Sequence, residues 1–198
     1  MSERSSIGPA GLAALVATGA IGGLIGDMGH VQSGTTVYLE DPLPYIWESQ
    51  LWFPLMVGGG TAALGWIAVE LGASAAEAER SEPLREAAAA IASVLGLYAL
   101  TAIVRGEPAA VGIVLCYSVA ALICARFARD RVDWLCALLA ALFGVGSEVL
   151  LSAAGVFEYA GDVEQILGVA AWLPALYLAY GVVASRLGVL VALSRGPR

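Results

Sequence analysis

Polar and apolar positions in this chain are sorted on a long scale. Six apolar stretches lie at roughly residues 7–26, 51–71, 87–104, 109–125, 134–156 and 166–191, and shorter segments between them hold most of the charged side chains. Each stretch is close to the roughly 20 residues that a helix needs to cross a bilayer. The last two are long enough to tilt. The pattern predicts an all-α, polytopic membrane protein: six transmembrane helices in one bundle, forming a single domain over residues 1–198. The connections are short except for 27–50 and 72–86. The second of these, AAEAERSEPLREAAAA, is expected to be a solvated loop feeding the third span, with Ser81 able to cap a helix and Pro83 tolerated in a first turn. The first stretch is long for the apolar part of a cleaved leader and no clean small-residue cleavage site follows it, so it is expected to remain as a span.

Composition agrees with this reading. The chain is 59% hydrophobic and only 14% charged, with a mean hydropathy of +0.80, whereas soluble domains carry about 25% charged residues. The net charge of −7 includes no basic stripe suited to nucleic acid. All ten basic residues are arginine, which together with the abundant Ala and Gly points to a GC-rich bacterial genome. Threading six spans puts Arg4, Arg80, Arg85, Arg126, Arg129, Arg131, Arg186, Arg195 and Arg198 on one side and Arg105 alone on the other. Positive charge favours the inner side, so both termini are expected in the cytoplasm, in a bacterial inner membrane. The outer loops then carry Asp27, Glu40, Asp41, Glu48, Glu107, Glu158, Asp162 and Glu164.

Small residues crowd three of the spans: Gly19, Gly22, Gly23 and Gly26; Gly58, Gly59, Gly60 and Gly65; Gly144 and Gly146. Close helix packing is the ordinary reading of each. Three consecutive glycines also weaken a helix, at about 1 kcal/mol each relative to Ala. Gly58–Gly60 therefore predict a bend or a notch in which a ligand can sit. Two span starts resemble each other, Leu51–Trp52–Phe53–Pro54 and Ala171–Trp172–Leu173–Pro174, and Pro174 is expected to kink its helix.

One carboxylate stands alone among apolar and small residues. Glu148 lies fifteen residues beyond Asp133, about 22 Å along a helix, in an apolar layer about 30 Å thick. A charge facing lipid at that depth is expensive, so Glu148 is expected to face the bundle interior or a cavity. A neutral carboxyl there both donates and accepts hydrogen bonds, which suits a hydroxyl or ester of an amphiphile. The competing reading is an interhelical hydrogen bond to Thr18, Thr61, Ser93 or Tyr98. Asp27 and His30 are read as an exposed interfacial pair, Tyr117, Tyr177 and Tyr180 as packing residues with satisfied hydroxyls, and Glu70 as an end residue that reaches water. Cys116, Cys124 and Cys136 suit buried small hydrophobes. One histidine leaves no metal ligand set, and no cofactor motif appears. Catalysis lacks a base for any serine nucleophile and a second acid in the core.

Several short stretches, in order, resemble the Insig (insulin-induced gene) proteins, six-span membrane proteins of the animal endoplasmic reticulum. They are Trp52–Phe53–Pro54 with the Gly-Thr-Ala-Ala run from Gly60 to Ala63, then Phe127 and the arginines of FARDR. Next come Gly155–Val156–Phe157–Glu158–Tyr159, Trp172–Leu173–Pro174 and Gly181. The likeness covers most of the chain and implies a sensor or adaptor without enzymatic activity. Animal members hold an oxysterol between helices and bind sterol-sensing-domain partners. The family's partner-binding stretch has an acid where this chain has Ala128, with Asp130 two residues on, which speaks against that partnership here. In an ungapped register Glu148 falls on a polar site of the family's fifth span. The expected ligand is a neutral membrane lipid, with diacylglycerol the best single candidate and sterol-like ligands the animal counterpart. The expected binding residues are Glu148, Gly22, Gly23, Trp52, Phe53, Gly58, Gly59, Gly60, Trp172 and Pro174. A homo-oligomer, with a trimer as the guess, is permitted by the glycine-rich faces. Two alternatives stay open: a small proton-coupled transporter or lipid-modifying enzyme using Glu148, and a structural scaffold in which Glu148 is a helix clasp.

Overall fold

Each predicted span becomes a helix, and the residues at its ends explain where it starts and stops. The structure, a computed structural model, describes residues 6–39, 44–73, 82–163 and 165–194. Ser81, with its expected cap, and Arg4, Glu40, Asp41, Arg80, Glu164, Arg195 and Arg198 lie outside the described residues. The helices are α1 (Pro9–Ser33), α2 (Trp52–Glu70), α3 (Pro83–Ile103), α4 (Ala109–Phe127), α5 (Arg131–Ala153) and α6 (Leu173–Leu193). All six are long and apolar enough to cross a membrane. Large apolar side chains such as Leu84, Leu122, Leu142, Phe143 and Leu150 are exposed on the outside of the bundle. In water they would form patches far beyond those of a soluble monomer, and in a bilayer they meet lipid. The chain is an integral membrane protein.

Two boundaries differ from expectation. The first helix does not stop at Gly26 but runs on to Ser33, where Gly34 closes it at φ +68 and donates its N–H to Val31. A left-handed residue there costs glycine nothing and satisfies a late carbonyl. Asp27 and His30 are therefore helix residues, not loop residues. At the other end of the chain, residues 166–170 are not helix, and α6 begins only at Leu173. Pro174 consequently sits in the first turn, where a missing N–H breaks no helical bond. The kink expected at Pro174 has no cause. The glycine triplet likewise leaves α2 unbroken.

Three two-stranded ribbons join the helix ends: β1 (Thr36–Tyr38) with β4 (Phe157–Tyr159), β2 (Tyr45–Ile46) with β3 (Ser49–Gln50), and β5 (Gln165–Ile166) with β6 (Val169–Ala170). The β1–β4 pair is antiparallel, with Val37 opposite Glu158. It ties the end of α1 to the end of α5. The order helix, strand, hairpin, helix occurs twice, as α1–β1–β2–β3–α2 and α5–β4–β5–β6–α6, with α3 and α4 between. The likeness extends to detail. Gly34 and Gly155 both follow their helices at positive φ, and Trp47 and Leu167 both turn their hairpins at φ 56. LWFP and AWLP are thus the same element in two halves. Arg105, after α3, joins the same end of the bundle, donating to Ser33 O of α1 and bonding Asp162 Oδ1 at 3.2 Å.

The core lies around α6, which is buried over 72% of its apolar stretch, against at most 39% for the other helices. Small residues on α6 allow this. A Cβ on Gly188 would strike the backbone of Gly65 in α2, and one on Gly181 would strike the backbone of Cys136 and Ala137 in α5. Backbone cannot move aside as a side chain can. Gly188→Ala is expected to cost about 1–3 kcal/mol by forcing α6 off α2. Gly59, which faces open space, is expected to tolerate Ala with no loss. Thermal melts of the two purified variants check the contrast.

At the end opposite the ribbons, Glu86, Asp133 and Arg186 are buried, each with hydrogen-bond partners. Asp130 caps α5: its Oδ1 accepts from the backbone N–H of Val132 at 2.7 Å and Asp133 at 3.2 Å. Asp133 answers by accepting from the Asp130 backbone N–H at 3.3 Å, the reciprocal bond of a capping box, and also from Arg129 N at 2.7 Å. The Ser185 hydroxyl of α6 donates to Asp133 at 2.5 Å, and the Arg186 guanidinium bonds Glu86 of α3 at 2.6 Å, both side chains at least 95% buried. The FARDR stretch is here the capped turn between α4 and α5. Cys116, Cys124 and Cys136 are all free and buried.

Candidate functional site

A cavity of about 560 Å³ opens inside the bundle, lined by α1, α2, α3, α5 and α6. That volume is in the range of small-molecule and cofactor sites. Its walls are apolar almost throughout, with Phe53, Val57, Leu64, Ile91, Leu95, Leu176 and Leu187 among them. The polar groups are few and cluster toward the ribbons. Glu148 sits in the wall, about 8 Å from the end of α5, and is 93% buried. Its two oxygens are shared between two phenols: Tyr159 donates to Oε2 at 2.5 Å and Tyr177 donates to Oε1 at 2.7 Å. One turn further along α6, the Tyr180 hydroxyl donates to Val57 O and lies 2.9 Å from the Thr61 hydroxyl.

Glycines make these approaches possible. A Cβ at Gly144 would occupy the Tyr177 ring, so its absence lets that ring lie across α5 and reach Glu148. Gly19 gives way to Thr61 and Gly26 to the Tyr98 ring in the same manner. The small residues are therefore spent as much on seating polar and aromatic side chains as on bringing backbones together. Tyr159 lies outside the helices, in β4. Burial, then the adjacent Glu148 carboxyl, push its phenol well above the usual range, so it stays a donor.

Of the residues expected at a binding site, Glu148, Gly22, Gly23, Phe53 and Gly60 line the cavity. The other five do not. Gly58 packs against Val16 and Ala20 of α1 and Gly59 faces outward. The Trp52 ring N–H donates to Gln50 at 2.6 Å. Trp172 is buried with its ring edge-on to His30 and Tyr159, and Pro174 lies in the first turn of α6. For the glycines the reason is rotational: consecutive helical residues point about 100° apart, so a triplet cannot face one cavity, and only Gly60 of the three does.

The partners expected for Glu148 are also replaced. None of Thr18, Thr61, Ser93 or Tyr98 bonds it; Tyr159 and Tyr177 do. Nor do Asp27 and His30 form an exposed pair. Both are buried, and each takes other partners. Tyr38 and Ser49 donate to Asp27 Oδ2 at 2.7 and 2.5 Å, and His30 Nε2 lies 2.7 Å from the Thr101 hydroxyl. Burial, then the Asp27 carboxyl, raise the Tyr38 phenol, which also remains a donor. In both halves of the fold, then, an acid near the end of a helix accepts from a tyrosine eleven residues on. That shared spacing was the one signal by which the sequence could have disclosed Tyr159 and Asp27.

No family model matches the chain. It is 38% identical over 186 residues to an Insig protein homologue of Mycolicibacterium vanbaalenii, spanning 91% of this chain and 85% of that protein. Among solved structures, a mycobacterial Insig homologue from Mycobacterium vanbaalenii superposes with a TM-score of 0.87 at 35% identity, over 97% of this chain and 98% of that one. A cross-linked trimer of a cysteine variant of that homologue matches equally well, with a TM-score of 0.87 at 34% identity.

Proposed function

The chain belongs to the Insig family, and from that premise we propose that it is a non-enzymatic, lipid-holding membrane protein, one bundle domain whose cavity takes a neutral lipid. The observation that carries the reading is the cavity itself: about 560 Å³ of apolar wall with one buried carboxyl and a short run of hydroxyls at one end. A headgroup with a hydroxyl and ester carbonyls meets Glu148 and Tyr177 there, and its acyl tail runs along α2 and α6 past Leu64 and Leu187. Diacylglycerol has that chemistry and no charge to desolvate. A phospholipid would bring a phosphate against Glu148 in an apolar wall.

The ribbon end is the outer one in this reading, because Arg85, Arg126, Arg129 and Arg131 gather at the opposite end and favour the cytoplasm. Both termini are then cytoplasmic. The trimer formed by the mycobacterial relative supports self-association of this chain as well. With the FARDR stretch used as a helix cap, partnership with a sterol-sensing domain has little to recommend it.

The reading is tested by mass spectrometry of lipids extracted from the detergent-purified protein after exhaustive washing. About one neutral, hydroxyl-bearing lipid per chain is expected. Recovery of bulk phospholipid alone, in the proportions of the host membrane, would sink it.

A further inference from the structure

A second, much smaller cavity lies between the lipid cavity and the β1–β4 ribbon. It measures about 20 Å³ and is lined by residues from both halves of the fold, among them Asp27, Thr36, Tyr38, Glu148 and Tyr159. Phe53, Tyr98 and Glu148 line both spaces and form the partition between them. The Thr36 hydroxyl is the informative atom. Thr36 is 93% buried, and its Oγ1 has no hydrogen-bond partner among the described residues. A buried hydroxyl left unpaired is costly, and such groups in a native chain call for an explanation.

We propose that this chamber is a hydration site: it holds one water molecule that bonds Thr36 Oγ1 and links the two carboxyl groups, Asp27 and Glu148, across the interface between the repeated halves. The size fits one water, since roughly 10–15 Å³ by this measure is enough for one and a larger solute is excluded. The chemistry fits as well, because a buried water needs two to four polar partners. Each oxygen of Glu148 accepts from a single tyrosine and retains a lone pair for a further donor. The water orients the Glu148 carboxyl from behind, on the side away from the lipid cavity. It is expected whether or not a lipid is bound, so the hydration site and the lipid reading stand or fall separately.

The test is Thr36→Val, which keeps the shape and removes the hydroxyl. If the hydroxyl bonds a water, the variant leaves that water short of a partner and the melting temperature falls. If the chamber is dry, the variant removes an unpaired buried hydroxyl and the melting temperature rises or stays level, which overturns the proposal. Crystal structures of wild-type and variant protein, stripped of lipid, give a second readout that does not depend on stability. A single ordered peak within hydrogen-bond distance of Thr36 and of either carboxyl supports the site. An empty chamber in the wild-type map, or one filled by a lipid oxygen when lipid is restored, refutes it.

Discussion

Replacing Glu148 with leucine is expected to empty the cavity of its lipid while the bundle stays folded. Two opposing effects decide this. The carboxyl is the strongest hydrogen-bonding group in the cavity wall, and losing a hydrogen bond to it removes about 1.5–3 kcal/mol, roughly a 10- to 150-fold loss of affinity. That loss acts on binding alone. The same substitution strips the acceptor from the Tyr159 and Tyr177 hydroxyls, at about 1–3 kcal/mol for each left unpaired. That loss acts on stability, and leucine recovers part of it by filling the space with apolar surface. Tyr177 can also turn its hydroxyl toward the cavity, whereas Tyr159 is enclosed. The variant should therefore melt lower than wild type yet fold. Glu148→Gln separates the effects further: it keeps the shape and one acceptor oxygen, so its lipid content should lie between the other two. Lipid per chain, measured by mass spectrometry on fractions that elute as folded protein, is the readout. Wild-type lipid content in Glu148→Leu would remove Glu148 from the site.

The largest effect on stability is expected at the opposite end of the bundle. Glu86→Ala takes from the buried Arg186 guanidinium a carboxylate 2.6 Å away, and removing one partner of a buried pair costs about 3–5 kcal/mol. The pair is 2.6 Å apart and almost wholly enclosed, so water cannot take the place of the missing acid. Replacing both residues together, Glu86→Leu with Arg186→Met, removes both desolvation costs and should recover most of the loss. Thermal melts in one detergent compare the three proteins. A Glu86→Ala protein as stable as wild type would show that the pair is hydrated and contributes little.

Glu86 and Arg186 also mark where reading the chain from left to right falls short. Arg186 lies at the same end of the bundle as Arg129 and Arg131, as the span pattern implies, but nothing local to it announces that it is buried against a residue a hundred positions earlier. Glu148 was legible as a buried acid because a carboxylate amid apolar residues is conspicuous in any window. Its partners were not, because Tyr177 reaches it only across the notch at Gly144 and Tyr159 only by way of the β1–β4 ribbon. Trp52, Gly58, Gly59, Trp172 and Pro174 lie outside the cavity wall, which no local window of the sequence discloses. Place in the sequence puts a glycine or a tryptophan in a span, while membership of the cavity depends on how each helix is rotated.

What the sequence determined by itself is the number of helices and their setting: six apolar spans in an integral membrane protein of Insig type, with the end of the first and the start of the last displaced by about two turns. Those properties are local, since hydropathy and length decide whether a segment can sit in a bilayer whatever surrounds it. The tertiary structure alone decided which helix is central, which faces meet, and which two tyrosines hold Glu148. In a soluble helix an apolar stripe would have disclosed the inward face. Here both lipid and core are apolar, the helices are hydrophobic all round, and the rotation of each is set by packing of small residues against distant backbone. The two-residue strands are too short to carry a period of their own, so the doubled architecture that brings Asp27 and Glu148 to a common chamber became visible only when the chain was folded.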